Sequence, residues 1–268
     1  MNMKKIIALL LVMTMVLSFA ACAKTEAPAT EAATEAATEA ATEAVVETAP
    51  AAAEEGILDG GADIAVDAVL THEEFLAAEL ENVVCVETYV QGHQSWWDNK
   101  ITVYCQSEDG AYFLYELQCS EEDAAKLVPG TKIRVTGDKA EWAGEVEIMN
   151  GTFEFVEAEP YIAEALDVTE LLGTDELIAH QNEFVSFTGM TVEAIEYKNG
   201  EPGDDIYVTL GYNGASYDFC VEIYLTGAES EVYTTVGSLN VGDVVNVEGY
   251  LYWYEGVNPH ITAISLAE

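Results

Sequence analysis

One motif occurs twice in this chain, at residues 127–148 and again at residues 239–261. Each copy holds a Leu followed by three Gly residues at the same spacing: Leu127, Gly130, Gly137 and Gly144 in the first copy, and Leu239, Gly242, Gly249 and Gly256 in the second. A repeat indicates how many similar units the chain must fold into. Here it predicts two related small β domains rather than one large one.

The N-terminus is typical of an export signal. Two lysines precede an apolar run over residues 6–19, which is shorter than the roughly 20 residues of a membrane span. Small residues directly before Cys22 resemble the lipobox of bacterial lipoproteins, although Phe19 stands where that family usually has Leu. The resemblance implies a signal peptide over 1–21, a diacylglycerol on Cys22 and an anchor at the outer face of the bacterial cytoplasmic membrane. The alternative is an ordinary secretory signal cut after Ala23, which would give a secreted protein.

Residues 22–70 are dominated by Ala, Thr and Glu, with ATEA as a recurring unit. Ala and Glu favour helix, but glutamates four residues apart repel each other on one helix face. Large apolar residues that could dock this segment onto a core are scarce. The composition therefore predicts a solvated, disordered tether.

The charge of the chain is strongly negative, with 49 acidic and 9 basic residues and a formal net charge of −40. Such a surface repels phosphate backbones and anionic lipid, and it favours cationic partners or metal ions. The charge therefore argues against nucleic acid as a partner. A general acidity of the source's proteins or of its envelope is the simpler explanation of the charge.

Beyond Cys22 the chain has four cysteines, and none stands at metal-ligand spacing: Cys85, Cys105, Cys119 and Cys220. All four fall in apolar, strand-like stretches, which predicts buried free thiols. Export also permits disulfides, so a bridge between Cys85 and Cys105 across a hairpin stays open.

The order of predicted elements is β-β-β-α-β-β in each half. Thr71 and Glu74 form a capping-box pattern that opens a short helix ending near Asn82, with Phe75, Leu76 and Leu80 on its apolar side. Strands are then predicted over residues 83–90, 101–105, 111–117, 132–136 and 145–155, with a short helix from Ser120 to Leu127. The second half repeats this order, with a leading helix over 174–180, strands over 184–192, 206–210, 216–223, 244–250 and 259–265, and residues 228–238 in place of the helix.

The most specific shared string is Gly-x-x-Ile/Val-x-Val-x-Gly, at residues 130–137 and 242–249. This string and the element order resemble the OB-fold, a five-stranded Greek-key barrel, as it occurs in bacterial envelope lipoproteins. The resemblance implies a mainly β chain with short helices: two tandem five-stranded barrels, at 71–158 and 159–268, after the disordered tether. The first Gly would permit the turn into strand four, and the second would relieve crowding where that strand bends.

OB-folds bind ligands through strands two and three and through the loops that join strands one–two and four–five. All four tryptophans fall on those predicted loops, and two tyrosines fall on the strands: the candidate ligand-binding residues are Trp96, Trp97, Tyr104, Tyr112, Trp142 and Trp253. Exposed aromatic rings stack sugars or bases and anchor protein interfaces. The competing interpretation is that Trp142 and Trp253 fold back and plug their barrels. For Trp96 and Trp97, neighbours in extended chain point in opposite directions, so one should be partly exposed.

Catalytic motifs are absent from the sequence, and its four histidines are widely spaced: His72, His93, His180 and His260. We therefore expect no enzyme activity, no cofactor and no metal-ligand set. The leading hypothesis is a lipid-anchored extracytoplasmic protein whose aromatic loops contact a glycan, a peptide or an envelope protein. The alternatives are a surface nucleic-acid-binding OB protein and a metal-assisted hydrolase.

Overall fold

The computed structural model describes residues 68–267. The predicted signal peptide, Cys22 and all but the last residues of the predicted tether lie outside the described residues. The described chain is mainly β with short helices, as the sequence predicted. Within it, no helix is long and apolar enough to cross a membrane.

The first five strands close into a barrel in the order β1-β2-β3-β5-β4, with β4 pairing back onto β1. All pairs are antiparallel except β3 with β5, the pairing expected of an OB barrel. Its elements are α1 (His72–Ala77), β1 (Val83–His93), β2 (Lys100–Ser107), β3 (Gly110–Gln118), α2 (Glu121–Ala124), β4 (Lys132–Trp142) and β5 (Glu145–Phe155).

The second set of strands repeats the same pairing. The order β10-β11-β9-β8-β7-β6, with a further pairing of β10 to β7, closes five of the six strands, and β9 and β11 again run parallel. Its elements are β6 (Leu166–Asp167), two 3₁₀ turns (Thr169–Leu171 and Leu177–His180), β7 (Phe184–Tyr197), β8 (Ile206–Tyr212), β9 (Ala215–Val221), α3 (Ile223–Thr226), α4 (Glu231–Val236), β10 (Val244–Tyr250) and β11 (His260–Leu266). The prediction of two tandem five-stranded barrels is confirmed.

Local chain signals explain several element ends. The capping box at Thr71 is formed, with its hydroxyl accepting from the backbone N–H of Glu74. The helix nevertheless ends at Ala77 and buries only Phe75 of its three predicted apolar residues. Leu76 and Leu80 are exposed, because only one side of this short helix meets the barrel and Leu80 lies beyond its end.

The second barrel departs from prediction after β9. That strand ends at Val221, and Ile223, predicted as its last residue, begins α3 instead. Residues 228–238, predicted to replace the helix, contain α4 from Glu231 to Val236, which Ser230 caps. The first barrel has the single turn of α2 at this place, so the two copies differ most here.

The repeated glycines play the two roles that the sequence predicted. Gly130 and Gly242 open the turns into β4 and β10 with φ of +90° and +94°, a left-handed region that favours glycine. Gly249 lies inside β10, where an added Cβ would stand 2.1 Å from the carbonyl oxygen of His260 on β11. The repeat is therefore fixed by backbone geometry at the turn and by close strand approach seven residues later.

The four cysteines of the described chain are buried free thiols. Cys85 lies on β1 and Cys105 on β2, and no bridge joins them. Burial raises the pKa of the Cys119 thiol to about 11, so this thiol stays protonated at neutral pH.

An aromatic cluster joins the two barrels. Tyr104 and Phe113 of the first barrel pack against Tyr250 of the second, and the rings of Tyr104 and Tyr250 stack at 4.5 Å between centroids. The hydroxyl of Tyr104 lies 2.6 Å from Nδ1 of His260, and both residues are buried. Burial lowers the pKa of His260 to about 4, so its ring is neutral at pH 7. The two barrels thus share a packed, hydrogen-bonded interface.

A buried carboxyl group lies beside that cluster. Glu145 accepts hydrogen bonds at Oε2 from the backbone N–H of Trp253 at 2.9 Å and from Gln181 at 3.3 Å, whereas Oε1 has no partner among the described residues. Burial, with a further contribution from nearby Glu147, raises the pKa of Glu145 to about 8. Burial likewise raises the pKa of Glu147 to about 7.

We predict that Glu145→Gln flattens the pH dependence of stability. Glu145 binds its proton more tightly in the folded state than in the unfolded chain, where the pKa is near 4.5. Its contribution is therefore intact below that pH and is lost as the pH rises toward 8. Between pH 5 and pH 8, the free energy of unfolding of the wild type should fall relative to Glu145→Gln by on the order of 3 kcal/mol. Urea unfolding at a series of pH values measures this difference, and parallel curves for the two proteins would contradict it.

Candidate functional site

A groove lies where the loop between β1 and β2 meets the second barrel. It has a volume of about 420 Å³, within the range of small-ligand sites. Its lining is mixed aromatic and polar and comprises Gln94, Ser95, Trp96, Trp97, Lys100, Ile101, Thr102, Glu116 and Tyr224. The first barrel supplies all of these except Tyr224, and this is the face that the OB resemblance predicted for ligand contact.

A tight turn presents Trp97 at the rim of the groove. Trp97 and Lys100 exchange backbone hydrogen bonds of 3.0 and 2.9 Å across Asp98 and Asn99. Both central residues have positive φ, as in the type I′ turns that suit hairpins, and Asp and Asn tolerate this conformation. Trp97 is consequently 80% exposed. The Asp98–Asn99 pair was a local signal for this hairpin.

Trp96 points the other way, as expected of adjacent extended residues. It is half-buried, packs against the core of the first barrel, and donates from its indole N–H to the carbonyl of Cys119 at 2.8 Å. Trp96 therefore forms the groove's inner wall and anchors the loop, while Trp97 offers its ring to solvent.

The second barrel contributes Tyr224 through α3. The carbonyl of Tyr224 accepts from the backbone N–H of Ser95 at 2.7 Å and from the Ser95 hydroxyl at 3.2 Å. Leu225, next in the chain, packs on the interface cluster around Tyr104, while the ring of Tyr224 stays 61% exposed. The groove thus has exposed aromatic rings from both barrels.

The other predicted ligand-binding aromatics lie elsewhere. Tyr104 is buried in the interface, and Tyr112 is buried in the first barrel against Phe75 and His72. The expectation that these two tyrosines add exposed aromatic surface is corrected, because the second barrel covers one and α1 covers the other.

Trp142 and Trp253 lie on the connections between strands four and five, away from the groove lining. Trp142 ends β4 and is 62% exposed. Trp253 is half-buried against the core of its own barrel and abuts Gly144, where an added Cβ would stand 2.8 Å from its ring. The four tryptophans therefore do not converge on one surface.

Sequence reasoning missed two important groove residues. Tyr224 lies just past the predicted end of the third strand, where Glu222 caps α3 with its own side chain, an unusual cap with no clear sequence signature. Glu116 has a φ of +49° inside β3, a conformation that nothing in a run of strand-forming residues indicates.

The charge of the groove is balanced locally. Lys100 Nζ lies 2.6 Å from Glu116 Oε2, and these are the only two charged side chains in the lining. Among residues 68–267, no cluster of His, Cys, Asp and Glu is arranged to hold a metal ion. The site therefore offers ring stacking, hydrogen bonds and one neutralised ion pair.

No protein-family model and no curated protein matches this chain. Solved structures similar to it include a murine DNA-binding protein bound with double-stranded DNA, with 11% identity, a TM-score of 0.34, and 69% of this chain and 95% of that chain covered. The Ifi202 HINa domain in complex with double-stranded DNA has 11% identity and a TM-score of 0.33, and the match covers 70% of this chain and 97% of that chain. A replication protein A heterotrimer bound to single-stranded DNA has 13% identity and a TM-score of 0.28, and the match covers 68% of this chain and 50% of that chain.

The expectation that nucleic acid is an unlikely partner rested on the net negative charge alone, and it is corrected here, since the solved structures similar in fold to this chain include complexes with DNA. The physical error lay in applying the net charge of the whole chain to one site. A net charge of −40 is a sum over all residues, whereas the groove carries one cation and one anion in contact. Structural similarity at these identities and TM-scores shows the fold alone and assigns no ligand to this chain.

We predict that replacing each of the two adjacent tryptophans by alanine has a different effect on the free energy of unfolding. Trp96→Ala removes core packing and leaves the Cys119 carbonyl without its donor, so it should lower the free energy of unfolding by about 2–3 kcal/mol. Trp97→Ala should change it by less than about 0.5 kcal/mol, as for surface positions. Urea unfolding of both variants measures this, and equal losses would contradict the assignment of inner wall and rim.

Proposed function

We propose that this protein binds single-stranded nucleic acid, without catalysis, by stacking bases on the exposed rings of the groove. The observation that carries the proposal is Trp97, 80% exposed on a tight turn at the OB binding face, with exposed Tyr224 on the same groove. An indole exposed to water lacks the stabilisation that burial of its apolar surface would give. A base that stacks on an aromatic ring contributes about 1–3 kcal/mol to the free energy of binding. Every base offers such a face, so stacking tolerates many sequences.

Phosphate attraction contributes little in this proposal. The groove's one cation, Lys100, is already paired with Glu116, and the rest of the chain is acidic. Binding that neutralises few phosphates releases few counterions, so affinity should depend only weakly on salt. This distinguishes the groove from the basic channels by which many single-strand binders follow the backbone.

A second candidate ligand is an oligosaccharide, and the charge balance of the groove favours it. A sugar ring stacks on Trp or Tyr and carries no charge to be repelled by the acidic surface. The polar lining, including Gln94, Ser95 and Thr102, could accept or donate to hydroxyls.

We predict that Trp97→Ala and Tyr224→Ala each weaken the binding of a fluorescent oligothymidine by roughly tenfold, from the loss of one stacking contact. Trp142→Ala is the matched control, since Trp142 is 62% exposed yet lies outside the groove. Fluorescence anisotropy at increasing salt gives the affinities and the salt slope. Equal losses in all three variants would contradict the groove as the site.

The ligand class is decided by the same titration. A panel of neutral oligosaccharides is tested as direct ligands and as competitors. Sugar binding that needs Trp97, with no oligonucleotide binding, would replace the first candidate by the second. A steep salt slope would contradict stacking as the main source of affinity.

We further propose that the mature chain is a lipoprotein held at the outer face of the cytoplasmic membrane. The support is the sequence around Cys22, which lies outside the described residues. In this proposal the groove is carried at the end of the segment 22–70, outside the cell's cytoplasm.

We predict a mature N-terminus at Cys22 carrying a diacylglyceryl group, and release of the protein from membranes by Cys22→Ala. Mass spectrometry of the membrane-bound protein identifies the modified peptide. A freely secreted protein that begins after Ala23, with no lipid, would show instead that the signal is an ordinary secretory one.

A further inference from the structure

We infer that the ion pair of Lys100 and Glu116 is the base-selecting element of the groove, and that it favours guanine and disfavours thymine. This inference rests on the proposed binding of single-stranded nucleic acid. It adds to that function a specificity that ring stacking alone does not supply, since stacking accepts every base.

The pair lines the same groove as Trp97, so the edge of a base stacked on that ring would be within the same groove as both charges. Lys100 closes the same turn as Trp97, through the two backbone hydrogen bonds between them. Glu116 lies on β3, the strand that pairs with β2, and its carboxylate is 2.6 Å from the Lys100 ammonium. Both side chains are 43% exposed and line the groove, so their remaining hydrogen-bonding capacity faces a ligand.

The backbone of β3 is distorted in a way that places Glu116. The pairing register between β2 and β3 shifts between Ile101 and Val103, as at a β-bulge. Opposite this shift, Glu116 has a φ of +49°, and its backbone N–H donates to the hydroxyl of buried Thr102 at 3.2 Å. Bulges re-aim side chains, and a long side chain rarely adopts a left-handed φ without compensation. Here the compensation is the position of the carboxylate beside Lys100 in the groove.

Hydrogen-bonding chemistry then ranks the bases. Among residues 68–267 the Lys100 ammonium makes one hydrogen bond, to Glu116, so two of its three N–H groups can reach acceptors such as O6 or N7 of guanine. A carboxylate is acceptor-only, and guanine offers it two adjacent donors, N1–H and the N2 amino group. Thymine has a single ring donor between two carbonyl oxygens, which repel a carboxylate. Guanine therefore satisfies both members of the pair, and thymine fits them worst.

The experiment compares oligothymidine with oligonucleotides of equal length in which alternate thymidines are replaced by deoxyguanosine or by deoxyinosine. Inosine lacks the N2 amino group, so it isolates the second donor. The guanine-containing strand should bind the wild-type protein roughly tenfold more tightly than oligothymidine, with the inosine strand between them. Because the pair has no net charge, this preference should not change with salt.

Two variants test the carboxylate. Glu116→Gln keeps the shape and removes the charge, while Glu116→Asn keeps a residue that tolerates positive φ and shortens the side chain beyond reach of Lys100. Both should abolish the preference for guanine, so that the ratio of the affinities for the guanine-containing strand and for oligothymidine falls to about one. Glu122→Gln, which removes a partner of Lys126 outside the groove, is the matched control and should keep the preference. Unfolding midpoints confirm that each variant is folded.

The outcomes separate the inference from the function on which it rests. If oligothymidine binds and needs Trp97, but guanine gives no advantage, the inference is overturned and the proposed function stands. A guanine preference that survives both Glu116 variants overturns it in the same way. If none of the strands binds, the proposed function fails, and the inference fails with it.

Discussion

The buried contact between Tyr104 and His260 is the interaction on which the groove depends. It joins a strand of the first barrel to a strand of the second through a 2.6 Å hydrogen bond inside an aromatic cluster. A buried hydroxyl and imidazole must pair with something, and here each satisfies the other. This hydrogen bond, together with the stacking of Tyr104 on Tyr250, holds the two barrels in their relative position. That position brings Tyr224 beside the loop of Trp97.

The difference between the two copies explains why the described chain has this groove once. After β9 the second barrel forms α3, which turns Leu225 into the interface and leaves Tyr224 outside. In the second barrel, the connection between β7 and β8 carries Lys198 paired with Asp204 and Asp205, where the first barrel carries its two tryptophans. The two barrels share one frame, and their differences at these connections place the groove on the first barrel, with Tyr224 of the second barrel completing its lining.

The sequence predicted the fold well at positions where a single physical requirement selects one residue type. Gly130 and Gly249 are needed for a left-handed turn and for close strand approach, so their spacing predicted both barrels. The alternation of apolar and polar residues predicted the strands. It could not show which outer faces of a barrel are covered by another element, and Tyr104 was therefore expected at the surface. Tyr224 and Glu116 were missed for a related reason. Their roles arise from a barrel-to-barrel contact and from a bulge, both of which are tertiary and leave no local pattern.

Because the only cation in the groove lining is paired with a carboxylate, the proposed binding of an anionic polymer must draw its energy from something other than phosphate attraction. In the groove, Trp97 and Tyr224 offer stacking, and the one cation is neutralised by its neighbour. Repulsion between the chain's net charge and a phosphate backbone is long-range and is screened within about 8 Å at physiological salt, whereas stacking acts at contact and is not screened. Added salt should therefore remove the unfavourable term and leave the favourable one. An acidic OB protein of this design would bind no worse in salt, the reverse of the behaviour of a basic one.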